Sequence, residues 1–322
     1  MFVSLALIAM GLVLLVSGGE FLLRGAVGVA TLLRLSPAVI GLTVVAAGTS
    51  VPELAVSAVA TFQGKPDITV GNVVGSNIFN IAFILGVAAL IRPLAITGNT
   101  IQLEYPVLAL VTLLCLAVCD HGAVHRLDAV LFLVVYVAFV AYMVRLVRGQ
   151  LSDQESKQLA AETRELQPQE SRPPRTLLSL VLIAGGVILL SVGAHVTVSG
   201  AVEIGRLLGL SERVIGLTII AAGTGLPEVV TSLVSSIRGR DDIAIGNVIG
   251  SNLFNILGIL GINGLIAPLP IDSQIAASDN WWMLGVTLLL FPLMYTGRRI
   301  NRLEGLSLII VYLVYMGLLL YR

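Results

Sequence analysis

Two short stretches set the chemical question. GTSVPE (48–53) and GTGLPE (223–228) each place a glycine, a proline and a carboxylate inside a run that is otherwise apolar. Pro52 has no N–H to give the preceding turn, and its ring clashes with that turn's carbonyl. The helix is therefore expected to break, leaving the carbonyl of Gly48 to find another partner, with Gly48 loosening the backbone further. Gly223 and Pro227 repeat the arrangement. In hydrocarbon such breaks survive only where a polar cavity or other protein groups satisfy the freed carbonyls. Glu53 and Glu228 add a carboxylate beside each break. A carboxylate at membrane depth is costly and marks an ion or proton pathway. Two carboxylates brought together repel, and one takes up a proton unless a cation lies between them. A divalent ion neutralises both.

A second motif follows each break, GNVVGSNIFN (71–80) and GNVIGSNLFN (246–255). Asn72, Ser76 and Asn80 recur every four residues, which puts them on one helical face, and Asn247, Ser251 and Asn255 repeat that stripe. Gly71-x3-Gly75 and Gly246-x3-Gly250 predict small-residue faces where helices approach closely. Thr49 and Ser50 set hydroxyls beside Glu53, and Ser57 lies one turn on. Every candidate ligand is an oxygen. Ca2+ takes roughly six to eight oxygen ligands in flexible geometry, whereas Mg2+ tends to keep its waters and fits less well. No His or Cys lies in the motifs, which argues against zinc or copper.

The elements that must position these groups are membrane helices. Apolar segments fall near 2–33, 37–62, 68–91, 101–119, 125–147, 177–209, 212–238, 243–266, 281–297 and 303–321. The first and sixth exceed the roughly 20 residues needed to cross and are expected to tilt or to project. The fold class is thus an all-α polytopic membrane protein of ten spans. The halves, 1–147 and 177–322, flank a polar linker at 148–176. Adding 175 maps one half on the other. Between Pro37–Gly86 and Glu212–Gly261, roughly 28 of 50 positions are identical. Five spans per half is odd, so the halves enter the membrane from opposite sides. Inverted repeats of this kind recur in secondary transporters, with the site near the midplane.

Composition agrees. The 322 residues are 57% hydrophobic and only 12% charged, with no net charge and a mean hydropathy of +0.98. A soluble domain averages about 25% charged residues. No basic patch suggests nucleic acid. The first segment begins at Phe2 without a positive n-region and reads as a membrane helix, not a cleaved signal. With the linker cytoplasmic, fourteen of the 19 basic residues fall on that side and five outside, which places both termini outside. Cys115 and Cys119 read as small packing residues. Glu20 and His195, at matching positions, read as packing or interfacial. Asp67 and Asp242 read as charges at helix N-termini, and Trp281-Trp282 as an interfacial anchor.

GTSVPE with GNVVGSNIFN, and GTGLPE with GNVIGSNLFN, resemble the two α-repeats of the sodium/calcium exchanger family, within the cation/calcium antiporter superfamily. The resemblance is most specific over 37–86 and 212–261. It implies ten helices in two inverted halves, and exchange of Na+ for Ca2+ by alternating access, with no cofactor and no enzymatic step. It implies that Glu53 and Glu228 are the central Ca2+ ligands, helped by the carbonyls of Thr49 and Thr224. Na+ ligands would come from Ala46, Thr49, Ser50, Ser76, Ala221, Thr224 and Ser251, with Asn80 and Asn255 flanking the centre. The first and sixth helices would be the long pair that slides to switch access. Two positions depart from the family pattern. Gly225 stands where a serine would match Ser50, so one sodium site loses a hydroxyl. Asn255 stands where many relatives carry Asp, so the centre has one fewer possible charge.

The residues alone leave three transport or catalytic rivals. Glu53 and Glu228 could carry protons in a Ca2+/H+ antiporter, and broken helices could line a cation channel. The inverted repeat favours two alternating states over an open pore. No nucleophile–base pair suits an intramembrane enzyme. The short chain suits a prokaryotic plasma-membrane protein whose partners are Ca2+, Na+ and the lipid bilayer.

Overall fold

The computed structural model describes residues 1–33, 35–148, 176–209 and 221–321. The expected linker at 148–176 lies almost wholly outside the described residues, as does the start of the seventh segment, 212–220. All ten segments are otherwise helical where described. In chain order the helices are α1 (Phe2–Leu33), α2 (Pro37–Ile40), α3 (Ala46–Thr49), α4 (Val51–Phe62), α5 (Asp67–Ile78), α6 (Leu85–Ile91), α7 (Tyr105–Cys119) and α8 (Arg126–Arg148). They continue with α9 (Thr176–Leu207), α10 (Ala221–Thr224), α11 (Leu226–Ile237), α12 (Asp241–Leu253), α13 (Leu260–Ile266), α14 (Asn280–Tyr295) and α15 (Arg302–Tyr321). Among the described residues, seven helices are long and apolar enough to cross a membrane, or eight when the bent pair Ala38–Thr49 with Val51–Phe62 is counted as one span. Two of the ten expected spans fall short of that standard. One is described only from residue 221, where its longer helix is the 12-residue α11, and the other is the 16-residue α14, which starts at the polar Asn280 just after Asp279.

The repeat is visible in local backbone. Wider π-helical turns follow α5 at Phe79–Ile84 and α12 at Phe254–Ile259, and precede α7 at Thr100–Glu104 and α14 at Ile275–Asp279. Each pair is offset by 175. α4 and α11 also stop alike. Gly64 and Gly239 take φ of 74° and 77°, a region open to glycine because it has no Cβ. Around Gly64, its own N–H reaches Thr61 O at 3.1 Å and Lys65 N–H reaches Ala60 O at 2.9 Å. Gly239 and Arg240 repeat this on Ser236 O and Ser235 O at 2.9 and 2.8 Å, closing a Schellman cap in each half.

The chain groups into two compact units, each drawing on both halves of the repeat: Met1–Thr49 with Phe139–Asn247, and Ser50–Ala138 with Val248–Arg322. In the first unit, α1 and α9 run antiparallel along a seam of small residues spaced by seven: Ser4, Gly11, Gly18 and Gly25 against Ser179, Gly186, Gly193 and Gly200. A Cβ on Gly18 would lie 2.9 Å from Gly186 O, and one on Gly193 would lie 2.9 Å from Gly11 O. The helices therefore touch backbone to backbone, which gives dispersion contact where lipid removes the hydrophobic drive. At 32 residues each, both span about 48 Å, beyond the roughly 30 Å of hydrocarbon.

Ion pairs brace this unit. Glu20 accepts from Arg24 Nε at 2.9 Å and from Arg238 Nη2 at 3.1 Å. Its repeat-mate His195 is exposed. Gly246 and Gly41 bring α12 against the π turn Gly41–Val45, because a Cβ on either would press on backbone, Ala38 O or Ile243 O, at 2.7 Å. Gly246 thus meets the small-residue expectation. Gly71 and Gly75 do not: a Cβ on Gly71 would have ordinary contact with Ile275 at 3.6 Å, and one on Gly75 would meet nothing within 4 Å.

In the second unit, α4 packs on α5, the Phe254–Ile259 turn and α13, while α6 packs on α15 through Gly86 and Gly305. Two-residue strands tie the helix ends. β1 (Leu94–Ala95) pairs antiparallel with β4 (Arg299–Ile300), and β2 (Ala123–Val124) with β3 (Leu269–Pro270). Cys115 and Cys119 are buried free thiols 3.9 Å apart. Trp281 is exposed and Trp282 packs on Tyr315.

Candidate cation site

The first break falls at Ser50, between α3 and α4, where the chain bends by 44°. Pro52 takes the second position of α4. There a missing N–H costs nothing, and its fixed φ suits the helix start. Gly48 is not the loosened point: it lies inside α3, where its missing Cβ leaves room for Val187. Gly223 plays the same part against Val198. The second break falls at Gly225, with Pro227 again at the second position of α11. Glu53 and Glu228 therefore sit in the first turns of α4 and α11. The partial positive charge of a helix N-terminus favours a carboxylate there. Both are buried, at 1% and 0% exposure, so neither is a solvated surface charge.

In the first unit, Glu228 shares α11 with a row of buried hydroxyls: Thr231, Ser232, Ser235 and Ser236. Asn247 on α12 donates to Ser232 Oγ at 2.9 Å. Its Oδ1 accepts from Thr49 Oγ1 at 3.2 Å, and Thr49 also reaches Ala46 O at 3.2 Å. Ala46 and Thr49, the ends of α3, are fully buried. Ala221 and Thr224 are the matching ends of α10, Thr224 being half-buried.

In the second unit, Ser50 and Glu53 are buried at the start of α4. Asn72 on α5 donates to Ser57 Oγ at 3.0 Å and to Glu53 O at 3.4 Å. The bond to Ser57 is the repeat-mate of Asn247 to Ser232. Ser76 is half-buried one turn on. Ser251 is fully buried, and among the described residues its hydroxyl has no hydrogen-bond partner. Asn80 and Asn255 are each the second residue of a π turn, buried at 1% and 0% exposure. Among the described residues, their side-chain oxygens accept no hydrogen bond.

Sequence reasoning missed Asn77 and Asn252, which lie between Ser76 and Asn80 and between Ser251 and Asn255. Asn80 Nδ2 donates to Asn252 Oδ1 at 3.1 Å, and Asn255 Nδ2 donates to Asn77 Oδ1 at 3.2 Å. The signal was available: both are amides matched by the 175 offset within an apolar run. Ser232 was missed too, although it matches Ser57.

The oxygen-rich, His- and Cys-free surroundings of both carboxylates suit a hard cation. Among the described residues no cluster of three or more His, Cys, Asp or Glu could hold a resident metal. Glu228 in the first unit and Glu53 in the second each lie in the first turn of a helix that also carries buried hydroxyls.

A family model described as "Sodium/calcium exchanger protein" matches residues 3–145 and 178–321. The "Putative antiporter CaxA" of Alkalimonas amylolytica is 42% identical over 322 residues, covering 99% of each chain. The "Sodium/calcium exchanger MaX1" of Methanosarcina acetivorans is 32% identical, again with 99% of each chain covered. Among solved structures, the sodium-calcium exchanger NCX_Mj, soaked with zero Na+ and Ca2+, superposes with a TM-score of 0.82. That match has 30% sequence identity and covers 99% of each chain.

Proposed function

This chain belongs to the sodium/calcium exchanger family, and on that premise we propose that it exchanges Ca2+ for Na+ across a membrane by alternating access. The observation that carries the reading is the matched pair of buried carboxylates, Glu53 and Glu228, each in the first turn after a proline-marked break. Two carboxylates are neutralised either by one Ca2+ or by several Na+. The two loads then compete, and neither site state is stable with the charges bare. Exchange follows with no covalent step.

In this reading Glu53 and Glu228 are the Ca2+ ligands, with the carbonyls of Thr49 and Thr224. Ala46, Thr49, Ser50, Ser76, Ala221, Thr224 and Ser251 supply oxygens for Na+, and Asn80 and Asn255 flank the centre. The chain crosses ten times, as halves 1–147 and 177–322 of opposite orientation joined by a cytoplasmic 148–176. Both termini lie outside a prokaryotic plasma membrane. The sequence repeat, the two matched stretches of the family model and the bias of basic residues support this.

One observation favours a second reading, Ca2+/H+ exchange. Gly225 offers no hydroxyl where Ser50 has one, so a sodium site is poorer. The test is uptake of radiolabelled Ca2+ into proteoliposomes loaded with Na+, beside vesicles loaded with K+ and vesicles under an imposed pH gradient. Uptake confined to the Na+-loaded vesicles is expected. Uptake driven only by the pH gradient would replace Na+ with H+.

A further inference from the structure

We propose that Asn77 and Asn252 are positioning residues, holding the amides of Asn80 and Asn255 through a crossed pair of hydrogen bonds so that both side-chain oxygens stay available to the transported cation. The proposal rests on the reading that Asn80 and Asn255 flank the ion.

All four amides are at most 1% exposed and lie in one compact unit. The bonds cross between the repeats. Asn80 Nδ2 reaches Asn252 Oδ1 at 3.1 Å, 172 residues away, and Asn255 Nδ2 reaches Asn77 Oδ1 at 3.2 Å, 178 residues away. Asn77 is itself held, since its Nδ2 donates to Asn252 O at 3.4 Å and to Met283 Sδ at 3.6 Å.

An asparagine amide has one acceptor oxygen and one donor nitrogen on a single rotating group. Tying down the nitrogen fixes where the oxygen goes. Turning the Asn255 amide over would set its carbonyl oxygen against Asn77 Oδ1 at 3.2 Å, a repulsive contact in a buried setting, and Asn77 cannot turn in response without giving up its own bond to Asn252 O. Asn77 thus selects one of two orientations for the Asn255 amide; Asn252, whose Nδ2 makes no hydrogen bond among the described residues, aligns Asn80 less firmly. In the observed orientation Asn80 Oδ1 and Asn255 Oδ1 accept no hydrogen bond among the described residues. A buried acceptor without a donor is unfavourable, and such an oxygen in each repeat fits a role toward a visiting cation. Asn77 and Asn252 spend their own oxygens on the lock, so they act through their partners and do not touch the ion.

A double-mutant cycle separates this role from simple helix–helix glue. Exchange kinetics in proteoliposomes and equilibrium Ca2+ binding in detergent would be measured for Asn77→Ala, Asn255→Ala, Asn80→Ala and the two doubles with Asn77→Ala. Loss of one net hydrogen bond predicts a roughly 5-fold rise in the KM for Ca2+ in each single variant, with little change in maximal rate. The Asn77→Ala/Asn255→Ala double is expected to match Asn255→Ala alone. The Asn77→Ala/Asn80→Ala double is expected to multiply, to roughly 25-fold. Multiplying effects for Asn77 with Asn255, or an Asn77→Ala variant with reduced melting temperature but unchanged KM, would overturn the lock. Unchanged KM in both Asn80→Ala and Asn255→Ala would instead overturn the ligand reading beneath it. Should Asn77→Ala not fold, Asn77→Ser carries the same cycle with a smaller packing loss.

Discussion

Ser50 and Gly225 share one backbone conformation: φ is −84° in both, with ψ of 8° and 2°. Each is the residue at the break, capping the helix that carries the carboxylate. Nothing in this conformation requires glycine. The loss of the hydroxyl at 225 is therefore a chemical difference between the repeats and not a backbone necessity.

Gly225→Ser is accordingly expected to fold without backbone strain. Serine and glycine differ by only a few tenths of a kcal/mol at a helix N-cap, so melting in detergent should hardly move. The added oxygen should lower the Na+ concentration that half-saturates exchange. Na+ titrations of Ca2+ uptake in the two proteins would show the shift, and an unchanged Na+ dependence would separate residue 225 from the sodium sites.

Glu53→Gln and Glu228→Gln keep volume and hydrogen bonding but remove one charge each. If the two buried carboxylates share one Ca2+, as proposed, a single remaining carboxylate leaves the ion underneutralised. Exchange is expected to fall by roughly 100-fold or more in either variant. Gel filtration should still give a folded protein. Wild-type exchange in either one would remove that residue from the site.

Asn247 and Asn72 make matching bonds to Ser232 and Ser57, but Asn247 also takes the Thr49 hydroxyl and is fully buried. Asn247→Ala should therefore destabilise by about 1–3 kcal/mol, the cost of stranding buried polar groups. Asn72→Ala, at a half-buried position, should cost less. Thermal unfolding of the two variants side by side checks the order, which the sequence motif alone would make equal.

The α1–α9 seam gives a steric prediction. Gly18→Ala would place a methyl 2.8 Å from Leu190 N and should cost about 1–3 kcal/mol through overpacking, with lower melting. Gly185→Ala, one residue from the seam on α9 and with nothing within 4 Å of the new methyl, is the control. It should be neutral or slightly stabilising, because alanine loses less entropy in a helix.

The sequence by itself determined the chemistry of the donors and the repeat. Oxygen ligands, two Pro-Glu breaks and an offset of 175 can be read from residue types and spacing, because proline geometry and helical periodicity are local properties. The same offset then returns in the π turns and in the caps at Gly64 and Gly239, which repeated local sequence also governs. Only the tertiary structure decided which amide meets which. Asn77 and Asn80 lie three apart on one chain, and spacing alone would pair them with a common neighbour. Instead each finds the opposite repeat, because partners 172 and 178 residues away are chosen by packing between helices. The small-residue motifs divide in the same way. Gly246 is pressed against backbone while Gly75 faces open space, since a missing Cβ permits close approach but cannot say which helix arrives.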